Sequence, residues 1–155
     1  ALYQDHDIGL GLKEPLYAMD STTIDLCLSL FPWADFRSTK AGIKAHTVID
    51  LRGAIPVMLT ITTGKVSDVG LLDSLTLPKG SIVVLDRGYV DFVRLDTLVQ
   101  RECSFVVRAK DNLSFNCLEA HPTDAKAGVW SDQTIVLTGE RSKKGYPKPL
   151  RRVRF

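Results

Sequence analysis

The sequence predicts an α/β fold centred on a mixed five-stranded sheet, a three-strand antiparallel meander joined to two parallel strands through helical crossovers. Three observations carry this expectation. Residues 45–61 alternate apolar and polar side chains on both sides of Arg52-Gly53, which is the pattern of a hairpin. Ile82-Val83-Val84-Leu85 is an unbroken, β-branched apolar run, the pattern of a parallel strand buried on both faces. Helical spacing flanks that run, with Leu71, Leu72 and Leu75 before it and Phe92, Leu95, Leu98 and Val99 after it.

In chain order, residues 1–14 form a polar lead-in. Its Gly9-Leu10-Gly11 has Glu14 where a dinucleotide loop needs a third glycine, and no strand precedes it, which removes that reading. From Pro15 the first strand sets Leu16, Ala18 and Asp20 on one face and Tyr17, Met19 and Ser21 on the other. Ile24, Leu26, Leu28 and Leu30 keep a period of two, which either prolongs the strand or bends into an irregular extension ending at Pro32. Trp33, Phe36 and Arg37 fall in a loop, followed by Lys40 and Lys44 and then the hairpin. Pro56 cannot donate to a ladder, so the hairpin's second arm belongs at a sheet edge. Ser67 and Asp68 are candidate caps of a short helix that Pro78 and Gly80 end, and Asp91 caps a second. Ser104 to Ala109 is another short buried strand. Beyond Asp111 the pattern loosens into loops and candidate strands, Thr134 to Leu137 among them.

A chain of 155 residues with 45% hydrophobic and 25% charged residues is long enough for one domain with a real core, and nothing suggests disorder. The net charge of +2 is too small to argue for nucleic acid by itself. Residues 141–155 nevertheless hold seven Lys and Arg and no acid, a run that reads as a solvated face or as a phosphate-binding surface. Cys27, Cys103 and Cys117 are widely spaced and lack any Cys-x-x-Cys pattern, which fits a reducing cytoplasm and supports neither disulfides nor zinc. No apolar run approaches the ~20 residues of a membrane span. The chain starts at Ala1 without Met and stops inside a strand-rich stretch, so an internal piece of a longer protein is expected.

Chemistry concentrates at Asp86, at the carboxyl end of the buried strand, where open α/β sheets place their ligands. A charge pinned there has to be hydrogen-bonded, paired or metal-bound. The plainer reading is an Asp-Arg-Gly turn that caps the next helix. A right-handed crossover can return this strand to lie parallel beside the first, though the sequence does not force it. In that arrangement Asp20 and Asp86 face each other across neighbouring strands. Two carboxylates in a partly buried cleft repel, and a divalent cation between them removes the conflict. Mg²⁺ is the natural choice because it takes hard oxygens, and a pair of such ions about 3.5–4 Å apart serves in-line displacement at phosphorus.

Met19-Asp20-Ser21-Thr22, then Gly42 to His46 with Asp50-Leu51 and Arg52-Gly53, then Thr63 to Asp68, Asp86-Arg87-Gly88-Tyr89 and Phe105 to Lys110 succeed one another between Leu16 and about Asn112. In that order they resemble the motifs of the DDE transposases of bacterial insertion sequences, in the insertion-sequence-four group. The resemblance implies a ribonuclease H-like core over residues 15–112 and the start of a β-rich insertion over 113–155. It implies that Asp20 and Asp86 are the first and second catalytic carboxylates and ligands of a two-metal Mg²⁺ site, with Mn²⁺ as a substitute. The family's third carboxylate lies in a Tyr-x-x-Arg-x-x-x-Glu pattern that Glu102, Glu119 and Glu140 do not match, so it is expected beyond Phe155. This piece alone is then expected to bind metal weakly and to be inactive.

The same resemblance implies a cytoplasmic enzyme, homodimeric at full length, that hydrolyses DNA at transposon ends and transfers the freed strand to a target, with DNA as partner and no membrane. Lys40, Lys44 and Arg87 are candidate phosphate contacts, the alternative for each being a surface cation or a carboxylate's partner. Arg151 and Arg152, in the basic run, are candidates for the DNA backbone. His46 has no assigned role, and Trp33 and Tyr89 read as packing. Two competing readings are a non-catalytic DNA-binding or assembly module derived from a transposase, and an unrelated α/β fold with Asp86 as a phosphoryl acceptor.

Overall fold

The computed structural model describes residues 9–37 and 40–155. Six strands form the first sheet: β1 (Leu16–Leu26), β2 (Asp35–Arg37), β3 (Lys40–Asp50), β4 (Ile55–Thr63), β5 (Ile82–Leu85) and β6 (Ser104–Val107). Its main path is β4-β3-β1-β5-β6, antiparallel through β4, β3 and β1 and parallel from β1 through β5 to β6. This is the expected mixed five-stranded sheet of an α/β, ribonuclease H-like core. The addition is β2, which pairs with β3 at Lys40 and Ala41, beyond the end of the β4 pairing at Ile43. Three residues are too short a stretch for alternation to register, and the sequence placed them in a loop.

Residues β-branched and apolar at every second position form β3 and β4, and the tight connection between them is Leu51–Ala54. Asp50 fixes this turn by accepting from the backbone N–H and the Nε of Arg52, each at 3.0 Å. The Arg52 guanidinium holds the Asp50 carboxyl below the usual carboxylate range. Pro56 does lie on an edge strand, and the ladder steps from Val48↔Met58 to Ile49↔Pro56, which leaves Val57 as a bulge. After β1 the chain turns at once, with the N–H groups of Leu30 and Phe31 both donating to the Cys27 carbonyl.

Paired residues share a face, so the registers sort the sheet into two sides. Tyr17, Met19, Val48, Val83 and Leu85 lie on one side, each at most 6% exposed. Leu71, Leu72 and Leu75, in and after the short helix α1 (Leu71–Ser74), are buried in the same unit. The other side carries Ala18, Asp20, Thr22 and Ile24 of β1, and it stays open to solvent. Ile24, Leu59, Ile61 and Val106 are large apolar side chains on that side, and all are exposed.

Contacts divide the chain into two compact units, a first that runs through Val90 and takes up Thr97–Arg108, and a second of Asp91–Asp96 with Ala109–Phe155. Helix α2 (Phe92–Gln100) belongs in part to each, and Asp91 caps it as expected by accepting from the N–H groups of Val93 and Arg94. The second unit is built on a three-stranded antiparallel sheet, β7 (Phe115–Ala120), β8 (Ser131–Leu137) and β9 (Leu150–Arg154), with helix α3 (Glu140–Gly145) between β8 and β9. The basic run is therefore not a loose tail, since part of it is α3 and part is β9. Among the described residues no helix is long and apolar enough to cross a membrane.

Ala54 closes the hairpin turn at φ +52, a left-handed conformation that a Cβ disfavours. Ala54→Gly should raise the unfolding free energy by about 0.5 kcal/mol, the relief of strain exceeding the extra freedom of the unfolded chain. The check is the midpoint of urea unfolding at unchanged slope. A lower midpoint would show the turn is unstrained.

Candidate active site

The site is built by one register. Parallel pairing matches Leu16, Tyr17, Ala18 and Met19 to Ile82, Val83, Val84 and Leu85, so Asp20 and Asp86 are the residues that follow the last pair of this ladder on each strand. Both carboxylates are exposed, rather than lying in the partly buried cleft expected from sequence, because the Asp20 side of the sheet has no covering layer among the described residues. Asp20 has no hydrogen-bond or cationic partner among them. No three His, Cys, Asp or Glu side chains of the described residues gather as a metal-binding group.

Asp86 is also the cap that its sequence context suggested. It precedes a single 3-10 turn, Arg87–Tyr89, and its Oδ1 accepts from the Gly88 N–H at 2.8 Å. One oxygen is thereby oriented while the carboxylate still faces solvent. A Cβ at Gly88 would lie 2.9 Å from Asp86 Oδ1, so any side chain there would displace the Asp86 carboxylate. Two exposed, adjacent carboxylates with no cation of their own form a hard-oxygen donor pair, which fits a divalent ion that keeps waters or substrate oxygens in its remaining positions.

Behind the pair lies a polar cluster on the buried side of the sheet. Tyr89 is 1% exposed, and its hydroxyl, beside Ser21, has no partner in hydrogen-bonding geometry. Burial, together with the negative charges of Asp68, Asp20 and Asp86, pushes its pKa up to about 12. His46 is fully buried opposite Ser21. Thr62 donates its hydroxyl proton to the Thr63 carbonyl at 3.2 Å, so at 2.9 Å it accepts from His46 Nε2–H. His46 Nδ1 is then a bare acceptor without a hydrogen-bond partner, 3.7 Å from Asp68 Oδ1. Burial pushes the His46 pKa below its usual value, with Asp68 opposing and Lys44 reinforcing the shift.

Asp68 does not cap a helix. Neither the 3-10 turn Asp68–Gly70 nor α1 has a side-chain cap, and the Asp68 carboxylate accepts from Lys44 Nζ at 3.1 Å. The same ammonium donates to the Val66 carbonyl at 2.9 Å. Among the other sequence candidates, Arg87 is exposed in the turn after Asp86, and the side chain of Lys40 lies outside the described residues. Arg151 and Arg152 are in the second unit. Arg151 pairs with Asp132, donating from Nε at 2.9 Å, and Arg152 lies 4.8 Å over the Phe115 ring. Of the cluster, His46 had no assigned role in the sequence, Asp68 was read as a helix cap and Tyr89 as packing, and the one legible signal was Lys44-x-His46, two basic residues on the same face of a strand.

A family model described as the transposase DDE domain matches residues 11–154. The chain belongs to that family. It is 33% identical over 107 residues to a protein of Geobacillus stearothermophilus named as a transposase for insertion sequence element IS5377, a stretch that covers 69% of this chain and 28% of that protein. It is 28% identical over 142 residues to a Sinorhizobium fredii protein named as transposase y4zB, covering 89% of this chain and 39% of that one. The chain thus spans well under half the length of the curated relatives it matches. Membership is established for the DDE transposase domain, and the narrower insertion-sequence-four group rests on motif resemblance alone.

The raised Tyr89 pKa makes a measurable mark. A folded-state value above the unfolded one contributes stability that is complete below about pH 10 and is lost as pH rises toward about 12. Tyr89→Phe should remove the latest step of the phenolate absorbance titration and flatten the alkaline fall in stability. It should also leave neutral-pH stability unchanged or raise it by about 1 kcal/mol, because an unpartnered buried hydroxyl is removed. A loss of stability on this substitution would mean the hydroxyl is bonded.

Proposed function

We propose that this transposase chain supplies the first two carboxylates, Asp20 and Asp86, of a catalytic centre that cuts DNA at transposon ends and joins the freed 3′-hydroxyl to target DNA, with Mg²⁺ or Mn²⁺ as cofactor. The observation that supports the reading is the β1–β5 register, whose last pair, Met19 and Leu85, is followed on each strand by an exposed aspartate, in a chain of this family. Divalent ions bound there would polarise the scissile phosphate and activate the attacking oxygen. The protein's own part is to hold and aim its oxygens. Asp20 does so from the fifth residue of a long, doubly paired strand, and Asp86 from a carboxylate fixed by Gly88 N–H.

In this reading Arg87, next to Asp86 and exposed, meets the DNA backbone near the reacting phosphate. Arg151 and Arg152, with Lys40, contact phosphates elsewhere without reading sequence. Lys44 serves as the partner of Asp68. Residues 15–112 are the catalytic core and 113–155 the start of an inserted β-rich segment. The third carboxylate belongs to chain outside these 155 residues, and the full-length protein works as a homodimer in the cytoplasm.

The test uses the full-length transposase that carries this chain, labelled DNA bearing the element's ends, and Mg²⁺. Asp20→Asn and Asp86→Asn should each lower cleavage about 10³-fold, the equivalent of about 4 kcal/mol of lost charge stabilisation, while gel-shift binding to the ends persists. Cleavage at the wild-type rate by either variant overturns the assignment. Gly88→Ala probes aim rather than charge. Its Cβ displaces the Asp86 carboxylate, so cleavage should fall about 10²-fold with the melting temperature and end binding little changed.

A further inference from the structure

Asp68 is not one of the two carboxylates that the proposed chemistry uses, yet the structure anchors it. Lys44 Nζ reaches from β3 to both ends of a three-residue stretch, the Val66 carbonyl at 2.9 Å and Asp68 Oδ1 at 3.1 Å. The Lys44 side chain is 15% exposed and that of Asp68 31%, so the bond is partly shielded from water. His46, fully buried on the same strand, has its unpartnered Nδ1 3.7 Å from Asp68 Oδ1, so Lys44 and not His46 is the anchor. The 3-10 turn that Asp68 opens packs against the 3-10 turn Arg87–Tyr89. That second turn carries the Gly88 N–H which orients Asp86. Its last residue, Tyr89, extends a buried and unpartnered hydroxyl to Ser21, the neighbour of Asp20.

We propose that Asp68 is a positioning residue for the Asp20–Asp86 pair: anchored by Lys44, it seats the Arg87–Tyr89 turn and through it fixes the Asp86 carboxylate beside Asp20. The inference rests on the proposed role of that pair as metal ligands. Asp68 itself touches neither metal nor DNA. Its effect passes through two packed turns, so it acts on where the ligands are and not on what they are.

A field effect and a positioning effect differ in sign at Lys44. Removing the ammonium leaves extra negative charge near the pair, which by field alone strengthens attraction for a cation. Removing the anchor lets the Asp68 turn drift, which weakens binding. The experiment is direct Mn²⁺ titration of the full-length protein, read by electron paramagnetic resonance well below the melting temperature. A loss of global stability does not by itself move a dissociation constant measured on molecules that remain folded.

Asp68→Asn and Lys44→Met should each weaken Mn²⁺ binding about tenfold, in the range found when supports behind metal ligands are removed. The double variant should be no weaker than either single one, because both remove the same anchor. Tighter binding by Lys44→Met would overturn the proposal in favour of a field effect, and wild-type affinity in Asp68→Asn would overturn it outright. If the double variant is additively weaker, the two residues act independently and the anchor is refuted. Asp20→Asn and Asp86→Asn serve as references. If they too bind Mn²⁺ as the wild type does, the metal reading of the pair has failed, whereas a defect in them alone isolates the failure to Asp68.

Discussion

Four parallel residue pairs between β1 and β5 decide where everything else in the first unit goes. Those strands are far apart in sequence, joined through the hairpin and α1, and neither has chemistry of its own until the pairing is made. Tyr17 opposite Val83 and Met19 opposite Leu85 are buried, so the register has a firm hydrophobic basis. A slip of one residue would turn Tyr17 and Met19 outward and bring Asp20 to the core side. The cost of exposing those side chains and burying a carboxylate therefore fixes the position of the carboxylate pair. Burial on one side of the sheet pays for precision on the other.

The two sides of the sheet have divided the work. The buried side holds the apolar core and, at the strand ends, the polar cluster of Ser21, His46, Lys44, Asp68 and Tyr89. The open side carries Asp20 among Ile24, Leu59, Ile61 and Val106, apolar side chains that stand in solvent. Charged groups that must meet water, ions or a phosphate belong on the open side. The groups that keep them in place belong where water is excluded and a hydrogen bond is worth more.

The sheet was legible because its signals are local and periodic. Alternation through residues 45–61 specified the hairpin, Pro56 specified its edge, and the β-branched run at Ile82–Leu85 specified a parallel strand. Asp35–Arg37 was missed because three residues carry no period. The helix after Ser67 was expected as a capped element, but the available carboxylate, Asp68, found a partner twenty-four positions earlier in Lys44. A cap is a local prediction, and a long-range ion pair overrode it. His46 and Tyr89 were illegible as a cluster for the same reason, since only the folded register brings them to Ser21. The basic residues near the carboxyl end looked like a solvated tail because composition does not reveal that Arg151 has an acid, Asp132, waiting on the neighbouring strand.

At Asp86 the plain reading and the functional one turned out to be a single arrangement. A carboxylate that caps a turn gives up one oxygen's lone pair to a backbone N–H, and this usually argues for a structural role. Here the capped turn comes after a parallel strand buried on one face, so the cap restricts rotation of a carboxylate already delivered to the sheet's carboxyl edge. A free aspartate side chain at that point would sample several rotamers, and a cation binding to it would have to order them. Gly88 N–H removes that freedom in advance, and the missing Cβ at Gly88 leaves room for the oxygen it holds. The Asp-Arg-Gly turn is therefore better understood as preorganisation of Asp86 than as an alternative to its chemistry. Asp20, which has no such cap, gets its rigidity from its pairing with Thr47 of β3 and from directly following the last residue of β1 paired to β5.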